Sequence, residues 1–429
     1  MKILVIGGGG REHALIWKLK QSASVEKIWC APGNGGISAD AECFPVEGKD
    51  VAGLVDLAER LKADLTVVGP EQPLVLGLAD ELTKHRLAVV GPSREAAEVE
   101  GSKVFAKEFL GRHGIPTAAP YGIYDSAVDA YSALCAVDWP VVVKAEGLCG
   151  GKGVLVTSSP DEATTFIERL MEKREFGEAG KQILLEEGLA GQELSYIVLT
   201  DGETILPMAP ARDHKRIFDG DEGPNTGGMG AFSTDELLSA DLEEIIRSRI
   251  VEPTVAGLAS EGRRFRGFLY FGLMITRDGP KVLEFNCRMG DPETQAILMR
   301  ADFDLAEALQ RAATGKLAGF KARWKPKASI CVVLAAPGYP ALVSAGQEIG
   351  GLEGSSGHDG VVVFHAGTRR EGDKYYTSGG RVLGVSGSGG SVDEARDSVY
   401  DAISKIHFEG CQYRTDIGRP IVTKRTARD

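Results

Sequence analysis

Glu284-Phe285-Asn286-Cys287-Arg288 alternates polar with apolar side chains. On a strand the polar ones project from one face. Glu284 and Asn286 supply oxygens suited to Mg²⁺, which is often completed by the phosphates of a substrate. Arg288, on the same face, suits bidentate grip of a phosphate or carboxylate. Gly290-Asp291-Pro292-Glu293-Thr294 follows at once and adds a turn with further polar groups. The plainer alternative is an amphipathic strand with a solvated face. Upstream, 267–276 and 281–286 read as paired strands around the turn Arg277-Asp278-Gly279.

Three glycine clusters lie further out. Lys144-Ala145-Glu146-Gly147-Leu148-Cys149-Gly150-Gly151-Lys152-Gly153-Val154 is not a Walker A loop, because Glu146 stands five before Gly151 and Gly153 stands where Ser or Thr is required. Two lysines bracketing a glycine-rich loop between strands suit a mobile flap over a polyphosphate; the alternative is an exposed turn with solvated lysines. Asp213-His214-Lys215-Arg216 leads into Gly223-Pro224-Asn225-Thr226-Gly227-Gly228-Met229-Gly230. A loop this long inside a compact domain is usually functional, the alternative being a disordered surface loop. Gly7-Gly8-Gly9-Gly10 follows a strand and precedes a helix, where backbone N–H groups hold phosphate. The dinucleotide fingerprint needs a glycine at position 12 or 13, where Glu12 and His13 stand, so a nicotinamide dehydrogenase is disfavoured. A tight turn with no ligand is the alternative there. His13 and His214 read as hydrogen-bonding orienters rather than catalytic bases.

Strands at 2–6, 25–30, 65–68 and 88–90 alternate with helical sequence, which implies a parallel α/β sheet with its ligand edge at the Gly/Pro loops. A second unit starts near Gly101, with Ser102 capping a helix over 103–113. Strands follow at 141–144, 153–157, 183–186 and 193–200, then one long helix over 236–260 and another over 303–314. The last unit starts near Ser329, with a strand at 381–386, a glycine- and serine-rich turn at 384–390 and a helix over 392–406. The chain has 429 residues, a net charge of −12 and 43% hydrophobic residues. That charge disfavours a bulk electrostatic hold on nucleic acid or an anionic membrane. The first apolar run is too short for a signal peptide, and no stretch is long enough to span a membrane. Seven scattered cysteines with no Cys-x-x-Cys indicate neither a disulfide framework nor a zinc site, so a reducing cytosol is expected.

Taken in order, several segments resemble the phosphoribosylamine–glycine ligase family of the ATP-grasp superfamily. They are Gly9-Gly10-Arg11-Glu12-His13-Ala14, Ala31-Pro32-Gly33-Asn34, Val68-Gly69-Pro70-Glu71, Glu100-Gly101-Ser102-Lys103, the 144–154 loop, 213–216, 223–230, 284–294 and Phe364-His365-Ala366-Gly367-Thr368. The resemblance implies an ATP-grasp fold (α/β and α+β). A Rossmann-like parallel-sheet domain would span 1–101, the ATP-grasp domain 102–325 with a mobile lid near 118–190, and a small α+β domain 326–429. It also implies a monofunctional cytoplasmic enzyme: a monomer joining glycine to phosphoribosylamine with ATP, without nucleic acid or membrane partners.

By resemblance, Glu284 and Asn286 hold Mg²⁺ or Mn²⁺, and Arg288 steadies an acyl phosphate. Lys103 and Lys144 contact the ATP phosphates, with Gly147, Gly151, Lys152 and Gly153 in the flap. Glu186, Glu187 and Leu189 form the adenine-facing edge, and Glu193 meets the ribose. Lys215 adds charge near the phosphates, and Asp213 holds the glycine ammonium. Gly9, Gly10, Arg11, Asn34 and Glu71 bind phosphoribosylamine, and Asp291 and Thr294 are further substrate-binding positions. Three features depart from the family pattern. Gly8 stands where Asn is usual, Glu146-Gly147-Leu148-Cys149-Gly150 replaces Asp-Gly-Leu-Ala-Ala, and Phe271-Gly272-Leu273-Met274-Ile275 offers no carboxylate. Another ATP-grasp ligase or carboxylase, or a non-catalytic nucleotide-binding protein, are the rival expectations.

Overall fold

The computed structural model describes residues 1–355 and 360–419; the expected unit at 326–429 extends outside them. Five parallel strands open the chain, in the order Glu42–Cys43, Lys27–Pro32, Lys2–Gly7, Leu65–Val68, Val89–Val90. Ile3, Leu4, Val5 and Ile6 are all fully buried. Leu4 and Ile6 join one apolar cluster and Ile3 and Val5 another, as the two-residue period of a strand covered on both faces requires.

The middle of the chain makes two antiparallel sheets. Pro120–Tyr124, Ile183–Glu187, Val141–Ala145 and Val154–Thr157 form one, with a small core of their own that includes Val143, Phe166, Ile167 and Leu185. Ile205–Pro207, Gln192–Thr200, Gly267–Thr276 and Gly279–Asn286 form the other. Its inward residues Leu194, Phe271, Val282 and Phe285 share a cluster with Leu4 and Ile6 of the first sheet. A further sheet runs Arg212–Asp213, Gly230–Ser233, Ala328–Ala335, Arg381–Gly389, Val361–His365, so its strands come from both sides of residue 326.

Two expected elements are corrected. The helix expected over 236–260 begins at Ala240, where Ser239 accepts a hydrogen bond from Leu242 N (3.2 Å), and Asp235–Leu237 is a separate short turn. The helix then widens by one turn at Arg247–Val251, just before Pro253, which has no N–H to give back to the preceding turn. The turn expected at 384–390 is instead the body of the strand Arg381–Gly389, paired on both edges. Its small residues signal close packing: a Cβ at Gly387 would lie 2.8 Å from Val399 Cγ2 of the helix Val392–Ile403. Other boundaries shift by a few residues, as with Leu305–Ala313.

Candidate active site

The hairpin Gly267–Thr276/Gly279–Asn286 sets Tyr270 opposite Asn286 and Gly272 opposite Glu284. A Cβ at Gly272 would lie 3.0 Å from Glu284 Cγ, so the bare position gives the Glu284 side chain its room. Lys215 Nζ lies 3.2 Å from Glu284 Oε1 and 3.3 Å from Glu193 Oε2. Chiefly through Lys215, the Glu284 carboxyl is held down to about 2, against the opposing effect of burial. Burial lowers the Lys215 ammonium, but Glu193, Glu284 and Asp213 outweigh it and hold its pKa well above that of an ordinary lysine. Burial drives the Asp213 carboxyl well up; Lys215 opposes this and Glu293 adds to it.

Glu293, noted in the sequence only as part of a turn, is 3% exposed. Its Oε1 accepts from Ser195 Oγ (3.0 Å), which also meets Tyr270 OH at 2.9 Å. Sequence order hides this grouping because Ser195, Tyr270 and Glu293 come from three separate elements.

The strand ends at Asn286, so Arg288 lies just beyond it rather than on it. Its Nε sits 3.1 Å from Glu71 Oε2 and its Nη2 3.2 Å from Glu100 Oε1. Burial opposes the Glu71 charge, but Arg288 and Arg11 prevail and lower its pKa. The Asn286 amide is satisfied when its nitrogen donates to Glu100 Oε1 (2.8 Å) and Phe285 O (3.2 Å), which leaves the amide oxygen on the opposite side. Among the described residues no three His, Cys, Asp or Glu side chains converge on a metal site. The Glu284 and Asn286 oxygens are of the type that suits a hard cation, whose remaining ligands would come from phosphate and water in the usual manner of Mg²⁺.

The flanking lysines are firmly held. Lys103 Nζ donates to Gly147 O (2.8 Å), and Lys144 Nζ donates to Leu283 O (3.0 Å). The Glu186 side chain faces inward. Its carboxylate is fully buried and paired with Lys144 and Lys107, so its side chain presents no edge to a base. The strand Ile183–Glu187 lies between two neighbours, and its period turns Glu186 inward. Glu187 accepts from Ala119 N (2.9 Å) and Lys281 Nζ (3.1 Å), and Leu189 follows half-buried in the turn.

The flap packs against the 223–230 loop. Gly151, at φ +79°, lies so close that a Cβ would stand 2.8 Å from Thr226 O. Lys152 is exposed and donates to Pro340 O (2.7 Å), so it is not brought together with Lys103 and Lys144. Gly147 N donates to Ala179 O (3.2 Å), while Gly153 is buried beside Cys149, whose thiol is pushed up by burial. The substituted Glu146 accepts from Val104 N (2.7 Å) and pairs with Ser102, tying the flap's first residues to the helix Lys103–Arg112.

On the other side, Gly9 N donates to Glu12 Oε2 (2.6 Å) and Arg11 Nε to Glu12 Oε1 (2.6 Å). Arg11 Nη1 reaches Met289 O (3.2 Å), and Gly10 sits against Gln295. Gln295 Nε2 donates to Asp291 Oδ1 (2.7 Å), and Arg381 Nη2 lies 3.3 Å from Asp291 Oδ2. The Asn34 amide is fully engaged, donating to Gly8 O and His365 O and accepting from Gly36 N and Ile37 N. Thr294 is buried and its hydroxyl donates to Gly290 O, four residues back, so that hydroxyl is turned to the backbone just ahead of its helix. His13 accepts from His365 N at Nδ1 (2.8 Å) and meets Asp40 through Nε2 (3.1 Å). His214 is held down to about 4 by burial and stays neutral.

Two antiparallel sheets, with Lys103 and Lys144 reaching a glycine-rich flap and a Glu-x-Asn strand, define an ATP-grasp protein. A biotin carboxylase domain from Hydrogenobacter thermophilus shares the fold alone, at 18% identity with a TM-score of 0.72 over 96% of this chain and 91% of that one. The family model for the phosphoribosylglycinamide synthetase N domain matches residues 1–100, that for its ATP-grasp (A) domain 101–294 and that for its C domain 329–420. A phosphoribosylamine–glycine ligase of Allochromatium vinosum is 47% identical over 99% of both chains, and one of Vibrio vulnificus is 47% identical over 97% of this chain and 98% of its own. The crystal structure of such a ligase from Thermotoga maritima superposes with a TM-score of 0.82 at 34% identity, covering 97% of this chain and all of that one. The chain belongs to the phosphoribosylglycinamide synthetase family, and as such it is an ATP-dependent ligase.

Proposed function

We propose that the chain joins glycine to 5-phosphoribosylamine through glycyl phosphate, giving glycinamide ribonucleotide, ADP and phosphate, the second step of de novo purine synthesis. The observation that carries this reading is the Arg288–Glu71 ion pair. It joins the Glu-x-Asn edge to the first sheet's ligand loops, so an acyl phosphate made at one meets an amine bound at the other.

A carboxylate is a poor electrophile. In the proposed order, a glycine carboxylate oxygen takes the γ-phosphoryl group of ATP, and ADP leaves. The amine nitrogen of phosphoribosylamine then attacks the acyl carbon, the C–O bond breaks, and phosphate departs with that oxygen while the nitrogen loses a proton. Positioning and charge compensation dominate such transfers. Lys103 and Lys144 neutralise phosphate oxygens, and Arg288 steadies the acyl phosphate. Asp213 holds the glycine ammonium beside Lys215. Glu284 and Asn286 would hold Mg²⁺ or Mn²⁺, which would supply further positive charge to the phosphates.

For the adenine, the backbone edge of 186–189 serves in this reading rather than the Glu186 side chain, with Glu193 toward the ribose. Gly147, Gly151, Lys152 and Gly153 form the closing flap. Gly9, Gly10, Arg11 and the backbone at Asn34 hold phosphoribosylamine with Glu71, Asp291 and the Thr294 segment. The domain limits 1–101, 102–325 and 326–429, with a lid near 118–190, belong to the same reading; the separate small core around Val143 and Phe166 supports a lid. A cytoplasmic monomer, acting on small molecules alone, completes it. No helix among the described residues is long and apolar enough to cross a membrane.

ADP release across a panel of carboxylates and amines tests the reaction. Turnover requiring both glycine and phosphoribosylamine is expected. Turnover with another pair favours a different ATP-grasp ligase, and ATP binding without turnover favours a non-catalytic protein.

A further inference from the structure

We infer that Glu100 is a positioning residue for the cation- and phosphate-binding edge, turning the Asn286 amide oxygen and the Arg288 guanidinium toward the substrates without touching them itself. The inference rests on the reading of Asn286 as a cation ligand. Glu100 lies at the end of the helix Arg94–Gly101 and is 7% exposed. It reaches a segment 187 residues away. Oε2 accepts from Cys287 N (2.6 Å) and from the Cys287 thiol (2.9 Å). Oε1 meets Arg288 Nη2 (3.2 Å) and the Asn286 amide nitrogen (2.8 Å). One buried carboxylate thus collects donors from three consecutive residues.

The consequence for Asn286 is specific. A side-chain amide has nearly the same shape in both orientations, so only its neighbours decide which end is oxygen. A carboxylate accepts and never donates when ionised, so Glu100 selects the orientation that puts nitrogen toward itself and oxygen away. Arg288 is gripped between Glu100 on one side and Glu71 on the other, which fixes the plane of its fork. Burying a carboxylate is costly unless it is paired and hydrogen-bonded, and Glu100 meets that need with Asn286, Cys287 and Arg288 of this one segment.

Mn²⁺ binding to the full chain with a non-hydrolysable ATP analogue, read by electron paramagnetic resonance, tests this without turnover. Glu100→Gln is expected to weaken Mn²⁺ binding about 10–100-fold, the usual consequence of losing a partner that orients a metal ligand. Binding of the metal-free nucleotide should be unchanged. Asn286→Asp alone sets two carboxylates against each other and should also lose Mn²⁺, although an aspartate is the harder ligand. The E100Q/N286D pair restores a donor facing an acceptor and should bind Mn²⁺ more tightly than either single variant. Native affinity in E100Q, or a double variant no better than the singles, overturns the inference. If E100Q does not fold by circular dichroism, N286D decides: native or tighter Mn²⁺ binding overturns it. N286A separates the two levels, since native Mn²⁺ affinity in N286A removes the cation reading itself, whereas weakened N286A beside unchanged E100Q removes only the role of Glu100.

Discussion

The Glu284–Arg288 edge and the 147–153 flap adjoin the same two lysines, Lys144 at Leu283 and Lys103 at Gly147, but are built differently. The edge stands on Val282, Phe271 and Phe285, whose apolar cluster also takes in Leu4 and Ile6 of the first sheet. Its polar residues are held by side chains from distant segments: Lys215 on Glu284, Glu100 on Asn286, Glu71 on Arg288. The flap belongs to a sheet with a small separate core, and it is held mostly through its backbone: Gly147 N on Ala179 O, Lys103 on Gly147 O, and the exposed Lys152 on Pro340 O. The difference teaches a division of labour. Charge stabilisation needs groups fixed before the reaction, because they then need no reorganisation during it. Covering a nucleotide needs a segment that opens at little cost.

Four changes break or sharpen this contrast. The largest effect is expected from Glu284→Ala, which removes a preset charge from the fixed edge. ADP release should fall on the order of 10³-fold, while the melting temperature changes little because the side chain is only half-buried. Near-native turnover at ordinary Mg²⁺ contradicts the assigned role.

Gly151→Ala acts on the flap instead. Its φ of +79° and the approach to Thr226 O penalise any side chain, at about 1–2 kcal/mol of strain. A loss of roughly tenfold in kcat/KM for ATP is expected from that figure, again with little change in melting. A melting temperature that drops as far as in a core variant means the flap is part of the rigid body.

Acid separates the two regions by stability. His214 and His365 are held by burial to about 4 and about 3, and both belong to the body of the protein; the 118–190 segment contains no histidine. The unfolded chain binds these protons near pH 6.5 while the fold resists them. Stability should therefore fall as pH drops from about 6.5 toward 4, by up to about 1.4 kcal/mol per pH unit for each histidine. His365→Gln should flatten the slope measured by denaturant unfolding; an unchanged slope contradicts the assignment. The smallest effect is expected from Lys152→Ala. It removes one exposed contact to Pro340, worth about 0–1 kcal/mol by the measure of surface ion pairs, and should change kcat/KM for ATP by no more than about fivefold.

The sequence makes the short apolar runs at Leu65–Val68 and Gly267–Thr276 legible, because turn residues bound them. The Glu-x-Asn edge is legible for the same reason, with its oxygens spaced two apart on a strand. Glycines at 384–390 misled, since the signal for a turn and the signal for close helix packing are the same residue. Glu186 and Thr294 turn inward and Glu100 and Glu293 join the site only through pairings between distant segments. Local periodicity carries no record of such contacts. Glu100 was visible only as part of the quoted Glu100-Gly101-Ser102-Lys103 segment, with no hint of the residues it holds.

The central claim is that the fixed edge activates the glycine carboxylate by phosphorylation before the amine arrives. Glycine labelled with ¹⁸O in its carboxylate, turned over with ATP and phosphoribosylamine, tests it most directly. One labelled oxygen is expected in the released phosphate, because the C–O bond of the acyl phosphate breaks in the second step. Phosphate released without label, while glycinamide ribonucleotide forms, contradicts the account.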